Sequence, residues 1–365
     1  MPIDNYIDTI ENCRYCLMCR HIASVEYVTH RETLSPHGWA LVVASVKRGL
    51  LDWNAETVEV IYSAPDHGNS RAHCATQQPL PEAIAAVRAE IVSQQLAPGV
   101  VYEIDKSLRE FGTPYAQRKP GVVTGEGDLA LFVGDEAQYL RPKTLAVVSD
   151  LLAALGVNPV MIGLGRSSGY LASSLGLRDT AIHLAEATLA ELQTSGAKRM
   201  LVFSPGDYFT FNQLYKERLG IEFPADVELI ELTTLLANRL EGGEIKFNKF
   251  SDNLPYAYVD PTHAVRVPGR HDHPRQLLAA MMAGPARELF WRRERGHPVG
   301  STGLKFTKPD IAEKLTLARL EDARASGAKL LVSDDPATVQ QLENVAENFD
   351  LEVKDLYDLV YRQLA

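Results

Sequence analysis

Cysteine is scarce in this chain: four in 365 residues, at positions 13, 16, 19 and 74. So sparse a set excludes the disulfide framework that staples small secreted domains. Long apolar runs are missing too. No stretch approaches the ~20 residues needed to cross a bilayer, so direct membrane insertion is not expected. The opening MPIDNYIDTIENCRYC carries acids and no apolar core, which leaves no secretory leader to read. Positive charge is in deficit, with 37 Lys and Arg against 47 Asp and Glu and a formal net charge of −10. That balance argues against broad nucleic-acid binding, which needs a basic face to neutralise phosphates. A P-loop, a Gly-x-Ser-x-Gly elbow and a His-Glu-x-x-His motif are all absent, so three common catalytic classes lack sequence support. Free thiols without an export signal point to a reducing cytoplasm.

What is present is an ordinary globular composition, 45% hydrophobic and 23% charged, in a chain long enough for two domains and ample cores. Three of the cysteines are packed into Cys13-Arg-Tyr-Cys16-Leu-Met-Cys19, and the fourth follows 55 positions later. This short spacing lets one tight loop direct three thiolates at three corners of a [4Fe–4S] cluster. A fourth ligand must come from elsewhere, because Ala23 and Ser24 occupy the region where a further cysteine would continue the run. In two-cluster ferredoxin patterns the remote cysteine ligates the other cluster's iron. Cys74 is therefore the candidate that completes the set of Cys13, Cys16, Cys19 and Cys74. A structural zinc is the competing reading, although zinc sites usually present two separated Cys-x-x-Cys pairs.

Residues 1–115 read as helical. Ser35-Pro36-His37-Gly38 opens a helix with serine at the cap and proline in the first turn. Further helices are expected from Asn54, from Pro79-Leu80-Pro81-Glu82 and over VVYEIDKSLREF. Residues 116–127, within a Gly- and Pro-rich stretch, read as a linker. From residue 128 the texture changes to short β-type runs alternating with amphipathic helices. LALFV, PVMIG, RMLVF and VELIEL are the strands of a first round, over 128–245. LPYAYV, ARELFW, AKLLVS and LEVKDL are those of a second, over 246–365. Ser195-Gly-Ala-Lys198 and Ser326-Gly-Ala-Lys329 each end a helix and lead into a buried strand, so the two rounds read as a duplication. The fold class expected is α+β and multi-domain: an all-helical N-terminal part, then a duplicated α/β part built of parallel βαβ units.

With these marks the chain resembles the iron–sulfur proteins related to the D-type subunit of heterodisulfide reductase and the glycolate oxidase iron–sulfur subunit. The local marks are Glu32-Thr-Leu-Ser35-Pro36-x-Gly38, Cys74-x5-Leu80-Pro81-Glu82-x-Ile84, Ser204-Pro205-x-Asp207-Tyr208 and Asp260-Pro261-x-His263-x-x-Arg266. The resemblance implies a helical ferredoxin-like domain with two cubane motifs, followed by a duplicated cysteine-rich "CCG" domain. The departures are selective. The first motif would carry a fourth cysteine near Ala23, and the second would carry cysteines near Ala64, His67 and Ser70. By the ferredoxin crossover one cluster is erased as a set and the other retained as a set. The CCG cysteines are all replaced, at Asp135, Ser167-Ser168-Gly169, Ser204, Asp207, Thr262, within His297-Pro-Val-Gly-Ser-Thr-Gly303, and at Asp335-Pro-Ala-Thr338. Ser, Thr and isolated Asp do not replace a set of soft thiolates. A non-cubane cluster and disulfide-reducing catalysis are thus not expected.

Other clusters have blander readings. His263, His271, His273 and His297, with Asp260 and Asp272, could converge on a divalent metal, but solvated loop histidines are the preferred reading. Arg266, Arg270 and Arg275 could meet an anionic ligand or an acidic partner, with a solvated face preferred. Gly163-Leu-Gly165-Arg-Ser-Ser-Gly169 reads as a tight structural turn rather than a phosphate loop. His21, His67 and His73 lie near the cysteines in sequence and could tune a cluster or replace a ligand. Arg14 and Arg20 flank the cysteine loop with positive charge that would favour a reduced cluster.

The expectation is an electron-transfer subunit with a single [4Fe–4S] cluster, working in a hetero-oligomeric complex. On the resemblance, its partner is a flavoprotein dehydrogenase of a hydroxy acid or N-methylated amine, or an electron-transfer flavoprotein. The flavin would sit on that partner rather than on this chain. The alternative is a non-redox scaffold stapled by a structural cluster or zinc.

Overall fold

The computed structural model describes residues 3–116, 125–263, 266, 267 and 269–365; most of the expected linker lies outside them. Helices α1 (Ile7–Cys13), α2 (Ser24–Thr29), α3 (Pro36–Lys47), α4 (Ala55–Tyr62), α5 (Asn69–Ala72), α6 (Leu80–Ser93) and α7 (Gly99–Phe111) form the N-terminal part. Their starts follow local chemistry. The Ser35 hydroxyl accepts from the Gly38 N–H at 3.1 Å, and Pro36 needs no donor in the first turn. Asn54 and Thr57 form a reciprocal capping box at α4. Gly38 is demanded by packing, since a Cβ there would stand 2.5 Å from the Thr33 carbonyl oxygen. Among the described residues no helix is long and apolar enough to cross a membrane.

Two all-parallel sheets follow. β1 (Leu129–Gly134), β2 (Val160–Leu164), β3 (Arg199–Val202) and β4 (Glu228–Glu231) are ordered β2-β1-β3-β4. β5 (Tyr256–Tyr258), β6 (Leu330–Ser333) and β7 (Glu352–Asp355) are ordered β5-β6-β7. Mixed α/β architecture with parallel sheets is thus what the strand–helix alternation indicated. ARELFW is a correction: it is not a strand. Only Ala286 bridges, in parallel, to Tyr256, while the Phe290 and Trp291 amides turn away to the Asp322 carboxylate. The bridge still lies beside β5 where β2 lies beside β1, so it marks the place of a shortened fourth strand.

The repeat is written in hydrogen bonds. Ser195 and Ser326 each donate to the carbonyl three residues back at 2.7 Å and accept from the amide two residues on at 3.3 Å. Gly196 (φ 69) and Gly327 (φ 79) close the two helices in the left-handed conformation that glycine adopts without cost. Lys198 and Lys329 each reach an aspartate, Asp226 and Asp350, at 2.6 Å. Residue numbers in this segment differ by 131 between copies, from Gly169 and Gly300 through Gly196 and Gly327. At both Gly169 and Gly300 the glycine abuts the backbone of the second helix that follows it, at Ala181 and Ala312. Gly300 is therefore the positional counterpart of Gly169.

Strand alternation joins the parts. Ala130, Phe132, Met200 and Val202 face a core shared with the N-terminal helices. Leu131, Leu201 and Phe203 face the opposite way, into a core shared with Tyr256, Tyr258, Leu330 and Val332 of the second sheet. Ala257, Leu331 and Val353 close a third core on the far face. Such period-two alternation in strands buried on both faces is what parallel sheets require.

Candidate functional site

The cysteine loop begins where α1 ends. Cys13 closes the helix, the Cys16 N–H donates to the Cys13 carbonyl at 3.2 Å, and the turn continues through Cys19. Cys74 arrives on a separate turn after α5, its N–H bonded to the Arg71 carbonyl. All four thiols are free. They are close enough to feel one another's charge. Cys13 is pushed up to about 12, by burial first and then by Cys19, Cys74 and Cys16. Cys19 rises to about 11 through burial, with Cys16 and Cys74 adding to it. Cys74 differs: burial would raise it, but the Thr76 hydroxyl and the Gln78, Thr76 and Gln77 amides outweigh burial and lower it. Amide donors aimed at sulfur are the usual support of a metal-bound thiolate. His21 and His73 tie the two loops together, their Nε2 atoms 3.0 Å apart.

As a donor set these residues suit a soft metal or an iron–sulfur cluster: four thiols, no disulfide, and a mutual repulsion that a metal cation would relieve on deprotonation. Among the described residues, however, no three His, Cys, Asp or Glu side chains already stand in metal-holding positions. The thiols are gathered without being closed about one point.

A second convergence lies beside the first. Ala23, Ala64, His67 and Ser70, the four positions where the resembled family would carry cysteines, line a single small cavity together with Trp39, Asp66 and Arg88. Ala23, Ala64, His67 and Ser70 thus share one cavity, and no thiol lines it. His67 is buried and its pKa is lowered to about 3, by burial first and Arg266 second.

The arginines are a correction. Far from forming a solvated face, the Arg266 side chain is only 6% exposed and donates to the Asp66 carboxylate at 2.7 Å and to Glu82 at 3.1 Å. Arg218 completes a bidentate pair with Asp66 at 2.9 and 2.7 Å. One buried network therefore joins the N-terminal part to both βα halves. Arg270 is likewise buried between Glu231 and Asp334, and Arg275 makes a bidentate pair with Asp260. Sequence spacing held no sign of these pairs, because each partner lies on a distant segment.

The histidine set is corrected in the same way. His263, His271 and His297 are buried, and they do not converge. His271 contacts Asp260, His273 contacts Thr234, His263 stacks on Phe209, and His297 stacks on Trp291 at 3.9 Å. Arg14 and Arg20 are not free charges either: Arg14 pairs with Glu11 at 2.6 Å and Arg20 with Glu26 at 2.9 Å. Gly163, Gly165 and Gly169 all have positive φ, and the Gly163 amide is occupied by Glu191, in keeping with a structural turn.

The fold places the chain in a class already seen in crystals. A hypothetical protein from Helicobacter pylori superposes with a TM-score of 0.59 over 99% of this chain and 75% of that one, at 12% identity, which is a likeness of fold alone. No protein-family model matches the chain. In sequence it is similar to the D-type subunit of the dihydromethanophenazine:CoB–CoM heterodisulfide reductase of Methanosarcina barkeri, 26% identical over 296 residues. That alignment covers 76% of this chain and 72% of the relative. It supports an affinity with proteins of that kind, as the motifs indicated.

Proposed function

We propose that this chain is an iron–sulfur electron-transfer subunit of an oxidoreductase complex, holding a single [4Fe–4S] cluster on Cys13, Cys16, Cys19 and Cys74. The observation that carries the reading is that Ala23, Ala64, His67 and Ser70 share one thiol-free cavity, while the four cysteines lie close enough for their charges to interact. When bound, a cubane with four thiolates passes single electrons at a potential set by net charge, N–H···S bonds and exposure. This chain supplies the thiolates, the amide donors around Cys74 and the paired His21 and His73 that hold the two loops in register. Arg14 and Arg20, already neutralised by glutamates, add less positive potential than their sequence positions implied.

On this reading residues 1–115 form the cluster-bearing domain, 128–245 and 246–365 are the two βα repeats, and 116–127 links them. The electron partner is a flavoprotein dehydrogenase or electron-transfer flavoprotein. Supporting a docked partner, Tyr15, Leu17, Met18 and Tyr27 are exposed beside the cysteines, with Tyr15 at 71% and Met18 at 60%. Apolar side chains grouped at a surface in this way are a common mark of an interface. A cytoplasmic location fits the free thiols. The second reading, a scaffold with a structural cluster or zinc, draws on the free set of four cysteines.

Anaerobic purification separates the two. Relay requires roughly four iron atoms per chain and visible absorption that bleaches on reduction. Zinc in place of iron, or a cluster that no flavoprotein reduces or oxidises, would turn the assignment to a scaffold.

A further inference from the structure

A different cavity lies where the carboxyl ends of both sheets meet. Asp135 and Glu136 follow β1, Ser167 and Ser168 follow β2, Ser204 and Asp207 follow β3, and Asp335 follows β6; all line it. In the first sheet the chain passes from β1 to β2 on one side and to β3 on the other, so the cavity sits at a topological switch point. Open parallel sheets bind their ligands there. The cavity is narrow, and it has no part in the cluster reading above.

Its chemistry is specific. Four carboxylates, on Asp135, Glu136, Asp207 and Asp335, face a single lysine, Lys305. Lys305 Nζ donates to the Tyr115 hydroxyl at 2.6 Å and lies 4.0 Å from Glu136, with the Tyr115 and Phe306 rings 4.8 and 5.1 Å away. The pocket thus already houses one ammonium between carboxylate and aromatic faces, and its negative groups outnumber that charge. An independent sign of a missing partner comes from Ser301. It lines the cavity, is more than nine-tenths buried, and its Oγ has no hydrogen-bond partner.

We propose that this cavity binds a small organic ammonium ion, its charge met by Asp207 and Asp335 and its N–H groups by the lining hydroxyls. Without such a ligand the surplus charge is neutralised by protons. Burial, with Asp135 and Asp335 adding, pushes Asp207 up to about 8 against the opposing Ser168 hydroxyl, and burial brings Asp135 to about 6. Glu136 is raised by burial, with Lys305 opposing. Asp335 is raised by burial, with its Thr338 hydrogen bonds opposing, Asp334 adding and Arg270 behind it also opposing. Tyr115 stays protonated and His263 neutral. Binding a cation then releases protons, and affinity rises with pH between about 6 and 8.

Calorimetric titration of the full-length protein with dimethylammonium and ethylammonium chlorides tests this, with magnesium chloride as a separate arm. Expected are saturable one-site binding of an ammonium ion, proton release, and at least tenfold weakening in Asp207→Asn and Asp335→Asn variants that keep their iron and their melting temperature. Lys305→Met, which removes the resident ammonium, should bind several-fold tighter, an outcome that a purely structural lysine does not give. Ser301→Ala offers a milder variant should the carboxamides unfold. No saturable ammonium binding, binding by magnesium alone, or affinity unchanged in all of these variants overturns the proposal.

Discussion

The two neighbouring groups of the N-terminal part differ in what their side chains are for. Cys13, Cys16, Cys19 and Cys74 sit in open turns, with Cys16 exposed and the other three only partly buried. Ala23, Ala64, His67 and Ser70 line a cavity walled by Asp66 and Arg88, next to a dense buried ion-pair network. The first group holds soft donors, with one thiol exposed and three part-buried, which suits binding a soft metal brought from outside the chain. The second lies against internal wiring, which suits holding three parts of the chain together.

The sharpest way to break this contrast is at the ligands. Cys16→Ser and Cys74→Ser should each remove most of the bound iron, measured by iron assay and visible absorption, with little change in folding. Iron retained in Cys74→Ser would move the fourth ligand to a histidine.

Next in size is the network. Asp66→Asn leaves two buried guanidinium groups short of a counter-charge, and removing one partner of a buried pair costs about 3–5 kcal/mol. Denaturant unfolding should show that loss while iron content per folded chain stays unchanged. A variant as stable as the parent would mean that the second group is not structural.

A smaller effect appears on acidification. Arg218 and Arg266 hold Asp66 well below the usual carboxylate range, against the burial that would raise it. Its contribution is therefore complete above the unfolded pKa of ~4 and is lost as pH falls further. His67 stays neutral in the fold down to about 3 but accepts a proton near ~6.5 when unfolded. Its burial thus costs stability progressively as pH falls from that value. Since raised carboxylates such as Asp135 act in the opposite sense, the clean readout is a difference. Any stability advantage of the parent over His67→Gln should shrink between about pH 7 and pH 4, and a constant gap would assign His67 no titrating role.

The smallest change in folding belongs to the exposed tip. Met18→Ser and Tyr15→Ser should alter stability by no more than about 0.5 kcal/mol, yet weaken electron exchange with a flavoprotein partner. Unchanged exchange would move the docking face elsewhere.

Much of the fold was legible because its signals are local. Proline and serine at Ser35-Pro36, the glycines after Ser195 and Ser326, and β-type runs such as RMLVF act through adjacent residues and carry their meaning in any context. ARELFW failed for a related reason. Its composition suits a strand, but Asp322 captures the amides that would extend the ladder. Cys74 is read as the partner of Cys13, Cys16 and Cys19 because no other cysteine competes for the role.

By itself the sequence determined where helices begin and end, the parallel βα alternation and the matching turns of the two rounds. Only the tertiary structure decided the charges and histidines. Arg266 meets Asp66 across 200 positions, and Asp135, Asp207 and Asp335 share a cavity because sheet topology brings strand ends together. Charge pairing and burial depend on distance in space, and spacing along the chain carries no record of that distance.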